Sequence, residues 1–178
     1  MSREACPHCG DLLIEPCGPI GGTILVIGDA PDWLDVTTGV PFYDKDKTVS
    51  GYSRKRPGNI LREELMRAGL DPRRVRYTNL WLHAKKKKNE CDVNFHITRM
   101  FQEFVKAEYV LVAGIEPLQV ILDDPKASTM DWSGLELKSP NIPKNIKVMA
   151  MVKAATGFDT LGEIRLALGR FADNVHGN

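Results

Sequence analysis

The 178-residue sequence has no hydrophobic run that approaches the roughly 18 residues of a membrane-spanning helix. Its first segment, MSREACPHCG, lacks the apolar stretch of a secretory signal. It also lacks a strong excess of either charge, because 24 basic and 23 acidic side chains leave a formal net charge of +1. We therefore expect a cytoplasmic protein without a membrane partner, and the overall charge does not by itself indicate a nucleic-acid partner.

Cysteine is scarce, with four residues in the chain. In a reducing compartment we expect them to be thiols or metal ligands rather than disulfides. Hydrophobic residues make up 43% of the sequence, which is enough for a full core, and there is no internal repeat. We expect a monomer with a single domain over residues 1–178. Residues 1–22 hold three of the cysteines together with several glycines and prolines, and they are predicted to form an irregular N-terminal arm.

Short β-branched or apolar runs alternate with amphipathic segments along the rest of the chain. The predicted strands cover residues 23–27, 75–82, 109–113 and 147–152, and the predicted helices run from 59 to a cap at Gly69 and over 95–105, 116–122 and 159–174. A polar loop is predicted at 43–58, and residues 135–137 are a candidate for a short extra strand. Strands that alternate with helices indicate an α/β fold, a three-layer α/β/α sandwich around a central, mainly parallel four-stranded sheet.

The end of the first predicted strand is the best candidate for a binding site. The strand breaks at Gly28, and residues 29–32, Asp-Ala-Pro-Asp, follow as a turn that continues neither strand nor helix. Ligands of open α/β sheets bind outside the carboxyl ends of the strands. An ordinary turn with a solvated aspartate would have the same local sequence. Two further motifs favour a site: GxPF at residues 39–42, and Thr78-Asn79 in the second predicted strand.

These motifs together resemble the uracil-DNA glycosylase superfamily, especially its iron–sulfur, family-four branch of phage and bacterial type. That branch has the pattern GExPG, then GxPF, then TN. The resemblance covers residues 6–152 and implies an enzyme that hydrolyses the bond between deoxyribose and uracil, or a modified pyrimidine, in DNA. The sequence departs from the pattern where Asp29 replaces glutamate and Asp32 replaces glycine.

The chemistry of this reaction sets the residues that a site needs. The sugar acquires oxocarbenium character and the base leaves as an anion, so a carboxylate is needed near the sugar and donors are needed on the flipped base. The resemblance implies that Asp29 positions the water and that Ala30, Phe42 and Asn79 bind the base. Phe42 would stack on the base, and the Asn79 amide, which both donates and accepts, would pair with its edge. A turn aspartate, a core phenylalanine and a strand-end asparagine are the alternatives.

The last family motif is altered in this sequence. The family follows its fourth strand with a His-Pro pair whose histidine donates to the base, whereas here Lys153-Ala154 follows the predicted strand. The resemblance therefore makes Lys153 the candidate donor to the departing base. Lysine supplies positive charge to the base, although its geometry is less defined than that of histidine. A solvated residue at the end of a strand is the alternative. The loop that helps to extrude the base is shortened here to residues 155–157.

The sequence Cys6-Pro-His-Cys9 has the spacing that lets two sulfurs reach one metal ion. One such pair is half a site, and unmetalled surface thiols are the alternative. The resemblance implies two further ligands, one at His83 and one near the next helix, where Cys91 and His96 are candidates; Cys17 lies outside the family's cluster. Mixed cysteine and histidine ligands favour tetrahedral zinc over a 4Fe-4S cluster, although histidine-ligated clusters exist.

Positive charge is concentrated in two short runs. Arg54 and Arg56 belong to one, and Lys85, Lys86, Lys87 and Lys88 form the other. Four lysines often form only a solvated loop, but on a glycosylase-like fold they would contact DNA phosphates and give salt-sensitive, sequence-independent affinity. Two other functions remain open: a glycosylase-like protein that binds DNA or a modified base without excision, and an enzyme that acts on free nucleotides.

Overall fold

The computed structural model describes residues 3–43, 57–84, 90–152 and 158–177. Within these ranges the chain forms four strands and six helices, besides a short 3-10 turn at Pro72–Arg74. In chain order they are β1 (Ile24–Gly28), α1 (Trp33–Thr38), α2 (Pro57–Arg67), β2 (Val75–Asn79), α3 (Val93–Phe104), β3 (Tyr109–Val112), α4 (Ile115–Leu122), α5 (Thr129–Trp132), β4 (Lys147–Ala150) and α6 (Phe158–His176).

The four strands form one parallel sheet in the order β2-β1-β3-β4. In its register Gly28 lies beside Asn79, and Ile27 lies between Thr78 and Val112. All four carboxyl ends therefore meet at one edge of the sheet. The predicted parallel four-stranded sheet is confirmed.

Both faces of the sheet are covered, because alternate residues of each strand enter two separate hydrophobic cores. In β1, Ile24 and Val26 pack in the core that contains residues of α2 and α6. Leu25 and Ile27 pack in the core that contains residues of α3 and α4. Strands buried on both faces account for the nearly continuous apolar runs of the sequence, and they confirm the three-layer α/β/α arrangement.

Helix α1 was not predicted, because only the turn that precedes it, at residues 29–32, was interpreted. It begins after Asp32, whose carboxylate accepts hydrogen bonds from the backbone N–H groups of Leu34 and Asp35. In return, the Asp35 carboxylate accepts a hydrogen bond from the Asp32 N–H, which completes a capping box. The helix ends at Gly39, whose left-handed backbone (φ 74°) suits glycine. The aspartate that departs from the family's glycine is therefore a helix cap.

The extra strand considered at residues 135–137 is reduced to isolated bridges. Glu136 pairs antiparallel with Met149, and the N–H of Leu137 donates to the carbonyl of Val148. Helix α5, which precedes this segment, was also not predicted. Its cap is Ser128, whose hydroxyl accepts from the Met130 N–H.

The N-terminal arm lies along the outer edge of β2. Cys17 exchanges two backbone hydrogen bonds with Tyr77, at 3.0 and 2.8 Å. Further towards the N-terminus, Leu13 is fully buried in a small core with Cys6 and Leu82. The arm therefore pairs with a strand edge that would otherwise be open. Among the described residues, no helix combines the length and apolarity needed to cross a membrane.

Candidate active site and metal centre

A cavity of about 160 Å³ opens at the carboxyl edge of the sheet. Residues at or just beyond the ends of all four strands line it: Gly28, Asn79, Ala113 and Met151. The segment after β1 and the start of α2 supply the remaining lining residues, Asp29, Ala30, Asp32, Asp35, Phe42, Tyr43, Pro57, Gly58 and Leu61. The structure thus brings together Asp29, Ala30, Phe42 and Asn79, the four site residues predicted from the first two strands.

Gly28 separates the two predicted base-binding side chains. A Cβ atom built on Gly28 would lie 2.6 Å from the Phe42 ring and 2.5 Å from Asn79 Oδ1. Both distances are far shorter than van der Waals contact, so the site has no space for a side chain at this position. The ring and the amide therefore converge on a point that only glycine leaves open.

Phe42 has a strained backbone, with φ at +53° in the left-handed region that non-glycine residues seldom adopt. Its carbonyl lies against the start of α2, where a Cβ on Gly58 would approach the oxygen to 2.5 Å. Its ring lies 5.9 Å from that of Tyr77. Contacts on both sides therefore hold the Phe42 ring in place at the cavity.

The Asn79 side chain is 4% exposed and lines the cavity. Within the described part of the chain, no hydrogen bond engages its amide. The amide is therefore available to a molecule in the cavity. A ligand with both a donor and an acceptor on one edge would satisfy it.

Asp29 is held at the N-terminus of α4. Its Oδ1 accepts a hydrogen bond from the backbone N–H of Glu116 at 3.0 Å and lies against Gly114, where a Cβ would approach Oδ1 to 2.4 Å. Gly114 is the N-cap of α4 and provides no side-chain cap. The Asp29 carboxylate supplies one from another part of the chain, and its negative charge is stabilised by the helix dipole. Helix α4, which lies far from Asp29 in the sequence, thus holds the Asp29 carboxylate at the cavity.

Asp35 is a second carboxylate at the cavity, and it was not among the predicted site residues. It is 6% exposed and accepts a hydrogen bond from the Tyr43 N–H at 2.8 Å. Burial raises its pKa, with the nearby Asp32 charge acting in the same direction and backbone hydrogen bonds opposing it. The spacing of Asp32 and Asp35, which is that of a capping box, was the available signal.

Several predicted residues lie outside the described part of the chain: Arg54, Arg56, Lys85, Lys86, Lys87, Lys88 and Lys153. Their roles stay predictions. For Lys153 the described neighbour is Met151, which lines the cavity directly after β4.

Four predicted metal ligands form a cluster. The ligand atoms of Cys6, Cys9, His83 and Cys91 all lie within 4.8 Å of one another. Cys6 Sγ lies 3.5 Å from Cys91 Sγ, and His83 Nε2 lies 3.3 Å from Cys9 Sγ and 3.4 Å from Cys91 Sγ. In a tetrahedral zinc site with Zn–S bonds of ~2.3 Å, neighbouring sulfurs are separated by about 3.8 Å. The spacing therefore fits four ligands around one ion.

His96 lies beside this cluster rather than within it. Its ring is fully buried, and its Nδ1 accepts a hydrogen bond from the Leu82 N–H at 3.3 Å. In the neutral ring the other nitrogen, Nε2, then carries the proton and faces Cys91 Sγ at 3.4 Å. Burial, with the charges of His83 and His8 acting in the same direction, lowers the pKa of His96 to about 4, so the ring stays neutral. Between the two candidates left open, the geometry places Cys91 in the cluster.

The thiols of the cluster differ in their readiness to ionise. Burial raises the pKa of Cys91 to about 12. Burial also opposes ionisation of Cys6, but hydrogen bonds from the backbone N–H groups of His8 and Cys9 lower its pKa to about 7. Cys17 lies apart from the cluster, with its sulfur 3.8 Å from the Pro41 carbonyl oxygen.

Comparison with protein families matches residues 16–155 to the family described as "Uracil DNA glycosylase superfamily". This range contains all four strands and every described residue that lines the cavity. It begins after Cys6 and Cys9, so the match does not include half of the ligand cluster. No curated protein matches the chain.

Proposed function

Because the chain belongs to the uracil DNA glycosylase superfamily, we propose that it hydrolyses the N-glycosidic bond of uracil or a modified pyrimidine in DNA. The observation that carries this proposal is the cavity in which Asp29, Phe42 and Asn79 meet around Gly28. Phe42 and Asn79 come from motifs that the sequence shares with the family, and Asp29 occupies the position of the family's glutamate.

The size of the cavity supports a single-ring base. An apolar cavity of ~150 Å³ holds a benzene-sized ring in another protein, and this cavity measures about 160 Å³. A pyrimidine therefore suits the space, whereas a two-ring purine needs more. In this proposal the Phe42 ring stacks on the base, and the Asn79 amide pairs with its edge.

In the chemical step, a water oxygen bonds to C1′ as the C1′–N bond breaks and its electron pair leaves with the base. Asp29 stabilises the positive charge that develops on the sugar and orients the water. Lys153 faces the departing base and stabilises its negative charge. The hydrogen bond from Glu116 keeps the Asp29 carboxylate from turning away from the cavity.

Removing the space at Gly28 tests the proposed pocket. We expect Gly28→Ala to lower uracil release from an oligonucleotide by about 10²-fold, because the methyl group must displace Phe42 or Asn79 by a substantial fraction of an ångström. The matched control is Gly162→Ala in α6, where a Cβ meets nothing within 4 Å. It should retain the parent's activity and gain up to ~1 kcal/mol of helix stability.

Base release should be measured in a screen of single- and double-stranded oligonucleotides that carry uracil, modified pyrimidines or an undamaged base. Equal activity in Gly28→Ala and Gly162→Ala would mean that the base does not enter this cavity. Competition between DNA and a free nucleotide separates the glycosylase from a nucleotide enzyme with the same pocket.

The alternative function is recognition of DNA or a modified base without excision. Two observations favour it: Asp29 is one methylene shorter than the family's glutamate, and its carboxylate is committed to the N-terminus of α4. This alternative would be supported if the protein binds uracil-containing DNA tightly but releases no base from any substrate in the screen.

We further propose that the ligand cluster binds one zinc ion, which ties the arm of residues 1–22 to the rest of a single domain. When bound, zinc supplies structural cross-linking, because all four positions are filled by protein ligands. A four-iron cluster fits less well. Each ligand there binds a different iron, which separates the ligand atoms more widely than the arrangement here. The ligand positions therefore correspond to those of the iron–sulfur branch, but the spacing of the ligand atoms favours zinc over an iron–sulfur cluster.

Contact with DNA phosphates is proposed for Lys85–Lys88, with help from Arg54 and Arg56. Neutralising the four lysines should weaken DNA binding equally for all sequences and reduce the slope of log affinity against log salt by at most ~0.9 for each lost contact. The measurement is a salt titration of DNA binding.

The control neutralises Lys138, Lys144 and Lys147, which lie on or before the amino end of β4, opposite the cavity edge. This variant should keep the parent's slope. A slope that changes equally in both variants would indicate a general charge effect instead of a specific contact.

A further inference from the structure

Trp81 connects the ligand cluster with the cavity. It follows β2 and is 6% exposed. Its ring centroid lies 5.0 Å from that of His96 and 6.0 Å from that of His83. His83 is a member of the cluster, and His96 faces the Cys91 sulfur. One side of the indole is thus packed against His83 of the ligand cluster and against His96 beside it.

The other side of Trp81 reaches Asp29 by two routes. Its backbone N–H donates to the Asp29 carbonyl at 2.9 Å. Its indole Nε1–H donates to Glu116 Oε2 at 3.0 Å. The backbone N–H of Glu116 donates in turn to Asp29 Oδ1 at 3.0 Å. Both the main chain and the carboxylate of Asp29 are therefore connected with Trp81.

The acceptor of the Trp81 indole N–H is the side chain of a residue on α4. A buried indole N–H needs an acceptor, and many backbone carbonyls would serve. Here the acceptor belongs to the residue whose own N–H fixes Asp29. A glutamate in the first turn of a helix is already favoured by the helix dipole, but that preference alone does not bring its carboxylate to an indole 35 residues earlier in the chain. The contact orients α4 relative to β2.

We propose that Trp81 and Glu116 are positioning residues that couple the metal centre to the orientation of Asp29. The metal fixes His83 and Cys91, and through the packed His96 ring it fixes the indole. The indole N–H then fixes Glu116, whose backbone N–H holds the Asp29 carboxylate at the cavity. The catalytic part of this inference rests on the proposed glycosylase function, whereas the mechanical coupling rests only on the proposed metal centre.

The kinetic test uses the metal-bound protein and four variants. Trp81→Phe keeps an aromatic ring but removes the donor, Glu116→Ala removes the acceptor, and Glu116→Gln retains an acceptor. Trp132→Phe is the control, since Trp132 packs against the same apolar core as Trp81, and the hydrogen bond to Glu116 comes from Trp81. We expect Trp81→Phe and Glu116→Ala to lower kcat between 10- and 100-fold with little change in KM, as for a small misplacement of a catalytic group. Glu116→Gln and Trp132→Phe should retain the parent's kcat, and all four should keep the parent's metal content.

A second readout does not depend on activity. Hydrogen exchange of the residue 116 backbone amide reports directly on its hydrogen bond to Asp29. It should be roughly tenfold faster in Trp81→Phe and Glu116→Ala, as for the loss of one net hydrogen bond, and unchanged in Glu116→Gln and Trp132→Phe. Exchanging the bound metal for the larger cadmium ion should shift the NMR signals of the Trp81 indole and this amide while leaving the Trp132 indole signal in place.

Three results would overturn the coupling. The first is an unchanged rate of amide exchange in both Trp81→Phe and Glu116→Ala. The second is loss of metal in Trp81→Phe, which would make the indole a support of the metal site only. The third is the absence of any signal shift with cadmium. If the parent releases no base, the glycosylase proposal fails, and amide exchange with the cadmium shift still decides the coupling.

Discussion

Purified protein should carry about one zinc ion per chain, and Cys9→Ser should carry almost none. The reason is that the ligand atoms of Cys6, Cys9, His83 and Cys91 converge within 4.8 Å, so the loss of Cys9 removes one of the four ligands. Metal analysis and a visible spectrum of anaerobically prepared protein are the measurements. Iron with labile sulfide and a broad visible absorption would show that the protein holds an iron–sulfur cluster, as in the family-four branch, instead of zinc.

Loss of the metal should also lower stability sharply. Structural zinc contributes an apparent ~10–16 kcal/mol in zinc-finger peptides. A loss of only ~4 kcal/mol would lower the Tm of a domain of this size by roughly 8–16 °C. The small core of Cys6, Leu13 and Leu82 depends on the arm that the metal ties down. Affinity for zinc should fall as the pH falls, because the ligand thiols must lose their protons, and burial together with the neighbouring Cys6 and Cys9 raises the pKa of Cys91 to about 12.

Matched variants distinguish the ligands from their neighbours. Cys17→Ser changes a cysteine outside the cluster and should retain the metal. His96→Phe should also retain it, with a 10- to 100-fold lower affinity, which is the usual effect of losing an outer hydrogen bond to a ligand. Complete loss of metal in His96→Phe together with full retention in Cys91→Ser would make His96 the fourth ligand.

Elements of the fold could be predicted from the sequence where the local residue pattern and the burial in the folded protein agree. The run Ile24–Ile27 is both β-branched and buried on two faces, so its strand was predictable from composition alone. Predicted strands ran past their observed ends, as at Leu80–Leu82, because apolar side chains continue beyond the last ladder bond. Helix α1 was missed because Val36, Thr37 and Thr38 have low helix propensity, and only its caps at Asp32 and Asp35 indicate it.

The site was predictable where a motif lies at the end of a strand. Gly28 and Asn79 follow that rule, since parallel strands bring their carboxyl ends together. Phe42 lies after α1 and was predicted from the GxPF motif instead. The link from Trp81 to Glu116 could not be predicted in either way, because it depends on how α4 is oriented against β2. The choice between Cys91 and His96 also depended on the structure, since both lie near the start of α3 and only the bond from Leu82 to His96 Nδ1 separates them.

The largest effect on the chemical step is expected for Asp29→Asn. Asparagine keeps an oxygen that accepts the Glu116 N–H, so the cap of α4 survives while the charge is lost. We expect base release to fall on the order of 10²–10³-fold, as for the loss of one preorganised electrostatic group, with DNA binding nearly unchanged. The control is Asp71→Asn. Asp71 likewise accepts a backbone N–H, from Arg73, but it lies before the amino end of β2. It should retain the parent's activity.

The double variant Asp29→Asn, Lys153→Ala decides whether the two residues act on one transition state. Lys153→Ala alone should also cost on the order of 10²–10³-fold, because the departing base loses its positive partner. If Asp29 stabilises the sugar and Lys153 the base in the same step, the double variant should lose less than the product of the single losses, since groups that act as a unit are not additive. Lysine also permits attack on the sugar through a Schiff base, and borohydride would trap that adduct in the parent but not in Lys153→Ala. An active parent without an adduct leaves simple hydrolysis, and full activity in the double variant would remove both residues from the mechanism.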